Sequence, residues 1–159
     1  MDEPKLGTKE VAQVAVVVED IVAAARAWAK LLDVPVPEIR ETETVDVTHA
    51  EYRGNPTSGR VRMAFFALGN LSLELLEPID GPSTWRDQLT AHGNSLHHIA
   101  FRVQGMADRL ADLEADGMGL VQRGEYTGGR YAYVDAVAQL GLTLELLEDD
   151  ARQSDAPRR

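Results

Sequence analysis

The sequence predicts an α+β fold in which two βαβββ modules share one mixed sheet. Three observations support this prediction. The string LSLELLE at 71–77 returns as LTLELLE at 142–148, with Ser72 replaced by Thr143 as the single difference. Each copy follows the same order of predicted elements, which is a strand, a helix and then three strands. The first strands of the two halves also align, with Gln13 over His98.

The first module is predicted over residues 11–78. The run VAQVAVVV is apolar and β-branched, which is typical of a strand. Asp20 is a suitable N-cap for the helix that follows, whose apolar residues recur at helical spacing. Two prolines, Pro35 and Pro37, then prevent the helix from continuing. The elements expected in this module are a strand at 11–18, a helix at 21–33 and strands at 45–52, 61–68 and 71–77.

The second module is predicted over residues 96–148, after a linker at 79–95. Ser83 is a suitable N-cap for a short helix in the linker, and Gly117 is suited to end the helix of the module. The polar segments 1–10 and 149–159 are predicted to be terminal tails. The elements expected after the linker helix at 83–91 are a strand at 96–103, a helix at 106–116 and strands at 119–123, 131–134 and 142–148.

The composition excludes several classes of function. The net charge of −10 and the pI near 4.8 argue against binding to nucleic acids or anionic membranes, which requires a basic surface. The chain has no cysteine, so it can form neither a disulfide nor a thiolate metal site. No apolar run reaches the roughly 20 residues of a membrane span. The acidic N-terminus is unlike a signal peptide, and we therefore expect a cytoplasmic protein.

Each half carries one polar residue in its first strand and one acid in its last strand. Because side chains alternate along a strand, these residues face away from the apolar side that the helices are expected to cover. A buried acid is costly without a partner, and its occurrence at both equivalent positions indicates that the two acids share one. The four residues are Gln13, Glu74, His98 and Glu145.

This set of side chains is chemically suited to a divalent metal. One imidazole, two carboxylates and one amide oxygen match the preferences of Co, Mn, Ni, Zn or Fe. The charges of Glu74 and Glu145 would neutralise a 2+ ion, which would offset the cost of burying them. We therefore expect the four side chains to line a concave inner surface of the sheet.

The stretches GNLSLELLEP at 69–78 and LHHIAF at 96–101 resemble the vicinal oxygen chelate superfamily. This superfamily includes glyoxalase I, methylmalonyl-CoA epimerase, extradiol dioxygenases and bleomycin-resistance proteins. The resemblance covers residues 10–148 and is closest in motif to the epimerases. It implies two βαβββ modules that form one cupped mixed sheet around a central cavity and a metal, with the helices on the outer face. It also implies a homodimer.

The resemblance further implies a function for each of the four residues. By motif position, Gln13, Glu74, His98 and Glu145 would bind the metal. Glu145 would be the catalytic acid/base, with Glu74 as the alternative. The expected reaction removes a proton next to a carbonyl and stabilises the enolate on the metal, with an acyl-CoA or α-oxo compound as the small-molecule substrate. A glyoxalase-like lyase and a non-catalytic, resistance-type binding protein are the alternatives.

Two positions depart from the pattern of these relatives. Gln13 stands where most of them have histidine, which predicts weaker metal binding at this position. Some epimerases carry a second carboxylate on the third strand, where this chain has Met63 beside Arg62.

Two further groups of residues have an expected role and a plain alternative. His49 and Glu51 share one face of a predicted strand, and either form a second acid/base pair or lie on an exposed strand. Arg130, Tyr131 and Tyr133 are predicted to contact the substrate. For the two tyrosines, ordinary strand packing is the alternative.

Overall fold

A computed structural model of the protein describes residues 5–150 and contains one mixed, curled sheet of ten strands with five helices. Residues 1–4 of the expected N-terminal tail and residues 151–159 of the expected C-terminal tail lie outside the described residues. Within the described part of the chain, no helix is long and apolar enough to cross a membrane.

The elements of the first half precede a helix that connects the two halves. In chain order, the first half contains β1 (Val11–Val17), α1 (Ile21–Leu32), β2 (Arg40–Glu41), α2 (Val45–Thr48), β3 (Glu51–Tyr52), β4 (Asn55–Pro56), β5 (Arg60–Leu68) and β6 (Leu71–Asp80). The connecting helix is α3 (Thr84–His92), and the Ser83 hydroxyl caps it by accepting the backbone N–H of Arg86.

The second half has fewer elements, because its strands follow one another more directly. In chain order it contains β7 (Ser95–Arg102), α4 (Met106–Ala115), β8 (Leu120–Tyr126), β9 (Gly129–Ala136), α5 (Val137–Leu140) and β10 (Leu142–Asp149). Apart from the four-residue helix α5, this is the predicted order of one strand, one helix and three strands.

The strand order shows that the two halves are related by a local two-fold arrangement. The order across the sheet is β2-β5-β6-β1-β7-β10-β9-β8-β3-β4. In each half the first strand is parallel to the last, as β1 is to β6 and β7 is to β10. The halves join where β1 and β7 pair antiparallel. The predicted fold class, with one cupped sheet built from two modules, is confirmed.

Two apolar clusters fix the long helices to the outer face of the sheet. Ile21, Ala25 and Ala29 of α1 pack against a cluster that includes Leu73 and Leu75 of β6. In the second half, Met106 and Leu113 of α4 pack against Leu144 and Leu146 of β10. The repeated leucines thus lie under helices, which leaves the acids between them on the opposite, concave face.

The prediction of a strand at 45–52 is wrong over its first part. Val45–Thr48 forms the short helix α2, and His49 follows it with a left-handed backbone at φ 48°. The second strand of the first half is instead β2, two residues long, which pairs with β5 at one edge of the sheet. The reason is topological, because the chain leaves that edge and reaches the opposite one, where β3 pairs with β8. We call residues 42–56 the crossing segment.

The fourth predicted strand of the first half is longer than the sequence indicated. β6 continues through Pro78 to Asp80, whereas the prediction ended it at residue 77. Proline cannot donate to a strand ladder and is tolerated at irregular positions. Pro78 lies opposite Val61, next to a register shift between Arg60 and Val61, and this irregularity accommodates it.

Candidate metal and substrate site

The pairing of the four central strands positions the predicted site residues. Ala15 of β1 lies between Glu74 of β6 and His98 of β7. In the neighbouring row, Ala100 of β7 lies between Gln13 and Glu145. Both alanines are fully buried and small, so the longer side chains on either side can converge over them. The register thus places Gln13 and Glu145 around Ala100 as it places His98 and Glu74 around Ala15.

Three of the four predicted residues meet in a buried cluster. Glu74, His98 and Glu145 are 6%, 0% and 4% exposed, and each offers a ligand atom within 4.8 Å of the other two. His98 Nε2 lies 2.8 Å from Glu145 Oε2 and 3.4 Å from Glu74 Oε2. This arrangement is a possible Glu/His/Glu metal site.

Two atoms of this cluster lack hydrogen bonds although they are buried and close together. Within residues 5–150, His98 Nε2 and Glu145 Oε2 are the buried side-chain atoms with no hydrogen-bond partner. Their separation of 2.8 Å is within hydrogen-bond distance, so it is the angle between the two groups that does not fit a hydrogen bond. Buried polar atoms in proteins are nearly always satisfied, and a nitrogen and an oxygen that converge on one point suit a shared cation, either a proton on His98 or a metal ion.

The charges in this cluster shift the pKa values of its members. Burial alone would lower the pKa of His98, but attraction to Glu145 and Glu74 outweighs burial and raises this pKa to about 9. Burial raises the pKa of Glu74, and repulsion from Glu145 adds to the rise, although contact with His98 opposes it. Without a cation, the imidazolium of His98 therefore provides the positive charge between the two acids.

The neighbouring histidine lies on the other side of the His98 ring. His97 is 3% exposed, and its Nδ1 atom is 2.8 Å from Nδ1 of His98. Burial lowers the pKa of His97 to about 3, as does the nearby charge of His98, while a hydrogen bond from the ring to the backbone of Thr84 acts in the opposite direction. His97 is therefore a neutral group beside the cluster.

A cavity of about 710 Å³ opens over the cluster on the concave face. Gln13, Glu74 and Glu145 line it, which brings the fourth predicted ligand to the same space. Parts of the crossing segment, including Val47 and Thr48, form one wall. The volume is in the range typical of sites for small molecules.

Carboxylates are frequent around this cavity, and sequence reasoning identified only two of them. Among the described lining residues, the acids are Glu41, Glu43, Glu74, Glu125, Glu145 and Asp149. Several are already paired, since Glu41 contacts Arg60 and Arg62, and Asp149 contacts Arg102. Arg102 is the one cationic residue among these described lining residues.

Two of the three predicted substrate contacts lie at the cavity. Tyr131 and Tyr133 line it, with ring centroids 5.1 Å apart. Arg130 alternates with them on β9 and faces the other side of the sheet, where it pairs with Glu148 and Asp150. The structure therefore does not bring Arg130 to the cavity.

The proposed second acid/base pair is also absent from the described lining residues. His49 is exposed and contacts Glu125 at 2.6 Å, while Glu51 pairs with Arg123 at 3.0 Å. Met63 lines the cavity, at the position where the resemblance implied a second carboxylate in some epimerases.

Two buried residues that support the tyrosines were missed by the sequence analysis. Trp85 of α3 and Gln122 of β8 are 3% and 0% exposed, and each donates a hydrogen bond to one tyrosine hydroxyl. The available signal was weak. Trp85 is the second residue after the Ser83 cap, and Gln122 is next to Arg123 in a short predicted strand.

Comparison with known proteins agrees with this architecture. The sequence profile of the glyoxalase/bleomycin resistance protein/dioxygenase superfamily matches residues 12–134. An uncharacterized protein of Bacillus subtilis, YqjC, is 31% identical over 97 residues, which are 59% of this chain and 69% of that protein.

Solved structures include two methylmalonyl-CoA epimerases with the same fold. The enzyme from Mycobacterium tuberculosis gives a TM-score of 0.65 at 19% identity, covering 98% of this chain and 97% of that one. A Streptomyces coelicolor variant in complex with 2-nitronate-propionyl-CoA gives 0.61 at 19% identity, covering 90% and 96%. With its profile match, its two-module sheet and its Glu/His/Glu cluster, the chain belongs to the glyoxalase/bleomycin resistance protein/dioxygenase superfamily.

Proposed function

We propose that this protein is a metal-dependent isomerase or lyase that removes a proton next to a carbonyl group. The observation that carries the proposal is the pair formed by His98 Nε2 and Glu145 Oε2. These atoms are buried, lie 2.8 Å apart and make no hydrogen bond within the described residues. Together with Glu74 they place three ligand atoms within 4.8 Å of one another, which is a geometry that suits a divalent cation.

Glu74, His98 and Glu145 would hold a divalent cation, with the amide oxygen of Gln13 as a fourth ligand. Co, Mn, Ni, Zn and Fe all accept this combination of oxygen and nitrogen ligands. When bound, the cation supplies positive charge that offsets the negative charge developing on the carbonyl oxygen. The two carboxylates match its charge, and both are buried.

Glu145 is the proposed base, with Glu74 as the alternative. Both carboxylates line the cavity, so either can reach a carbon-bound proton of a ligand held there. Glu145 Oε2 faces His98, whereas the pKa of Glu74 is raised by burial. A carboxylate with a raised pKa is the stronger base once ionised, and this favours Glu74 as the alternative base.

Methylmalonyl-CoA epimerase-like chemistry is the first candidate reaction. It is supported by the shared fold and by the residues at the two repeated motifs. One of the similar solved structures is an epimerase described in complex with methylmalonyl-CoA. The matching positions here are Gln13, Glu74, His98 and Glu145.

A glyoxalase-like lyase acting on a small α-oxo compound is the second candidate. The six carboxylates and one arginine among the described lining residues favour it, because this acidic surface would repel the phosphates of a CoA thioester. A CoA substrate would have to keep its phosphates outside the cavity.

Elemental analysis combined with solvent-deuterium exchange tests the proposal. The protein is purified without chelator and incubated in D₂O with methylmalonyl-CoA or with the hemithioacetal of an α-oxo aldehyde. We expect a stoichiometric divalent metal and deuterium incorporated next to the carbonyl of one substrate. Glu145→Gln should lose both. The matched control is Glu148→Gln, which changes a buried acid of the same strand on the opposite face.

The result that would overturn the enzymatic proposal is equally specific. A wild-type protein without metal that binds an aromatic organic ligand tightly would instead be a binding protein of the resistance type. If the protein contains a metal but exchanges deuterium into neither substrate class, the metal site is supported and the proposed proton abstraction is contradicted.

A further inference from the structure

The hydroxyl of Tyr133 accepts a hydrogen bond from a group that can only donate. Trp85 Nε1 lies 3.0 Å from the Tyr133 oxygen, and both residues are buried. An indole N–H has no lone pair available for hydrogen bonding, so the direction of this bond is certain. The Tyr133 oxygen is therefore an acceptor toward Trp85.

The hydroxyl of Tyr131 is also an acceptor, and a backbone amide establishes this. The Thr84 backbone N–H donates to Gln122 Oε1 at 2.8 Å, which identifies that side-chain atom as the oxygen. The other end of the same amide must then be the NH₂ group, and it lies 3.1 Å from the Tyr131 oxygen. Gln122 is fully buried, so water does not compete for these contacts.

Each tyrosine therefore keeps its own O–H proton for another partner. Within residues 5–150, no hydrogen bond is present in which either hydroxyl donates. Both residues line the cavity, and the Tyr133 ring centroid lies 5.0 Å from that of His98. A hydroxyl that accepts a bond from one donor directs its own proton elsewhere, so the protons of both tyrosines are available to an acceptor in the cavity that the two residues line.

We propose that Tyr131 and Tyr133 form a donor pair that binds an acceptor oxygen of the ligand, either a carbonyl or a carboxylate oxygen, beside the Glu74/His98/Glu145 cluster. This inference rests on the proposed function, because the cation would hold another oxygen of the same ligand. A ligand that presents only N–H groups to this wall would leave both hydroxyl protons unpaired, so the pair selects against it.

Binding of small probes to the Co²⁺-loaded protein tests the donor pair. Acetohydroxamate presents a carbonyl oxygen, oxalate presents carboxylate oxygens, and imidazole binds a metal without offering an acceptor. Dissociation constants are measured from the visible Co²⁺ spectrum for the wild type, Tyr131→Phe and Tyr133→Phe. Both variants keep the ring and remove only the hydroxyl.

We expect each variant to bind acetohydroxamate or oxalate about tenfold more weakly, which is the loss of one hydrogen bond to a charged or polarised oxygen. Imidazole binding should change by less than about twofold. A loss confined to acetohydroxamate assigns the pair to carbonyl oxygens, and a loss confined to oxalate assigns it to carboxylates. Trp85→Phe removes the donor that orients the Tyr133 hydroxyl, and this variant should also bind acetohydroxamate and oxalate more weakly.

Three results would overturn the inference. Unchanged affinity for both oxygen probes in both tyrosine variants shows that the hydroxyls do not donate to the ligand. An equal loss for imidazole shows that the substitutions distort the cluster instead. Failure of the wild type to bind Co²⁺ overturns the proposed function, and the inference falls with it, whereas normal Co²⁺ binding with unchanged oxygen probes overturns the inference alone.

Discussion

Nδ1 of His97 and Nδ1 of His98 are 2.8 Å apart, which requires one of them to donate and the other to accept. Burial and the nearby charge of His98 lower the pKa of His97 to about 3, so His97 is neutral at neutral pH, whereas the carboxylates raise the pKa of His98 to about 9, so its ring carries a proton on both nitrogens. His98 must then supply the shared proton from its Nδ1. This leaves Nε2 of His98 as the atom that faces the two carboxylates and would bind a cation.

Replacing His97 should weaken metal binding although His97 does not contact the metal. In His97→Phe the acceptor for His98 Nδ1 is lost, and removal of such an orienting partner costs about 10–100-fold in metal affinity. His97→Asn retains a side-chain oxygen near the Nδ1 position and should keep most of the affinity. Calorimetric titration with Zn²⁺ or Mn²⁺ measures both.

The melting temperatures of the metal-free variants are the control for the His97 experiment. If His97→Phe and His97→Asn lose the same affinity, the hydrogen bond is not responsible. If neither loses any, His97 has no orienting role.

Metal affinity should rise with pH up to about pH 9. The pKa of His98 in the metal-free protein is about 9, so below this value a metal must displace the proton on Nε2. The apparent affinity should increase roughly tenfold per pH unit until that pKa is reached. Titrations in buffers of different ionisation enthalpy should show release of about one proton at pH 7. Metal binding without proton release would contradict the assignment of His98 as a ligand.

Glu74→Gln should stabilise the metal-free protein while it impairs metal binding. The folded-state pKa of Glu74 is raised, so above its unfolded value the folded protein is progressively penalised for ionising this group. A neutral amide of the same shape removes that penalty. Each kcal/mol gained would raise the melting temperature by about 2–4 °C. Thermal melts at pH 8, with and without Zn²⁺, should show a higher metal-free melting temperature and a smaller rise on adding metal.

One result of the Glu74 experiment would contradict this prediction. A fall in the metal-free melting temperature would mean that Glu74 stabilises the fold through its contact with His98. In that case the carboxylate would be structural.

Glu145 and Glu148, three positions apart on one strand, should have different roles. Glu145→Gln should reduce metal affinity by about 100-fold or more, because it removes a proposed ligand. Glu148 faces the other way and accepts the Met106 N–H at the start of α4 at 2.8 Å, where Gly105 offers no side-chain cap. Glu148→Ala should therefore lower the free energy of unfolding by about 1–3 kcal/mol with metal affinity unchanged. Urea denaturation and metal titration of both variants distinguish the two roles. Loss of metal affinity in Glu148→Ala, with metal affinity unchanged in Glu145→Gln, would contradict both assignments.

The central part of the fold could be predicted because its sequence motif is repeated in the two halves of the chain. The alternation in LSLELLE and LTLELLE indicates strands with one apolar face, and duplication makes the two acids equivalent. Strand pairing then converts that equivalence into proximity, with Ala15 next to Glu74 and Ala100 next to Glu145. Three of the four predicted residues meet within 4.8 Å for this reason.

The walls of the cavity could not be predicted in the same way. Residues 45–52 alternate like a strand, but the chain must turn there to reach β8, and alternation does not reveal that route. Trp85 and Gln122 act on tyrosines that are 48 and 9 positions away in the sequence. Trp85 lies in the linker helix, outside the repeat, and Gln122 lies on β8, where the strands of the first half follow a different route.

The crossing segment means that the two repeats are interlocked. It leaves the sheet at β2 and pairs again through β3 with β8, so the N-terminal half supplies the last two strands on the C-terminal side. Two fragments made by cutting between β6 and β7 would each expose an unpaired edge. They would recover the whole sheet only by associating with each other, so fragment complementation would measure directly how strongly the two halves depend on one another.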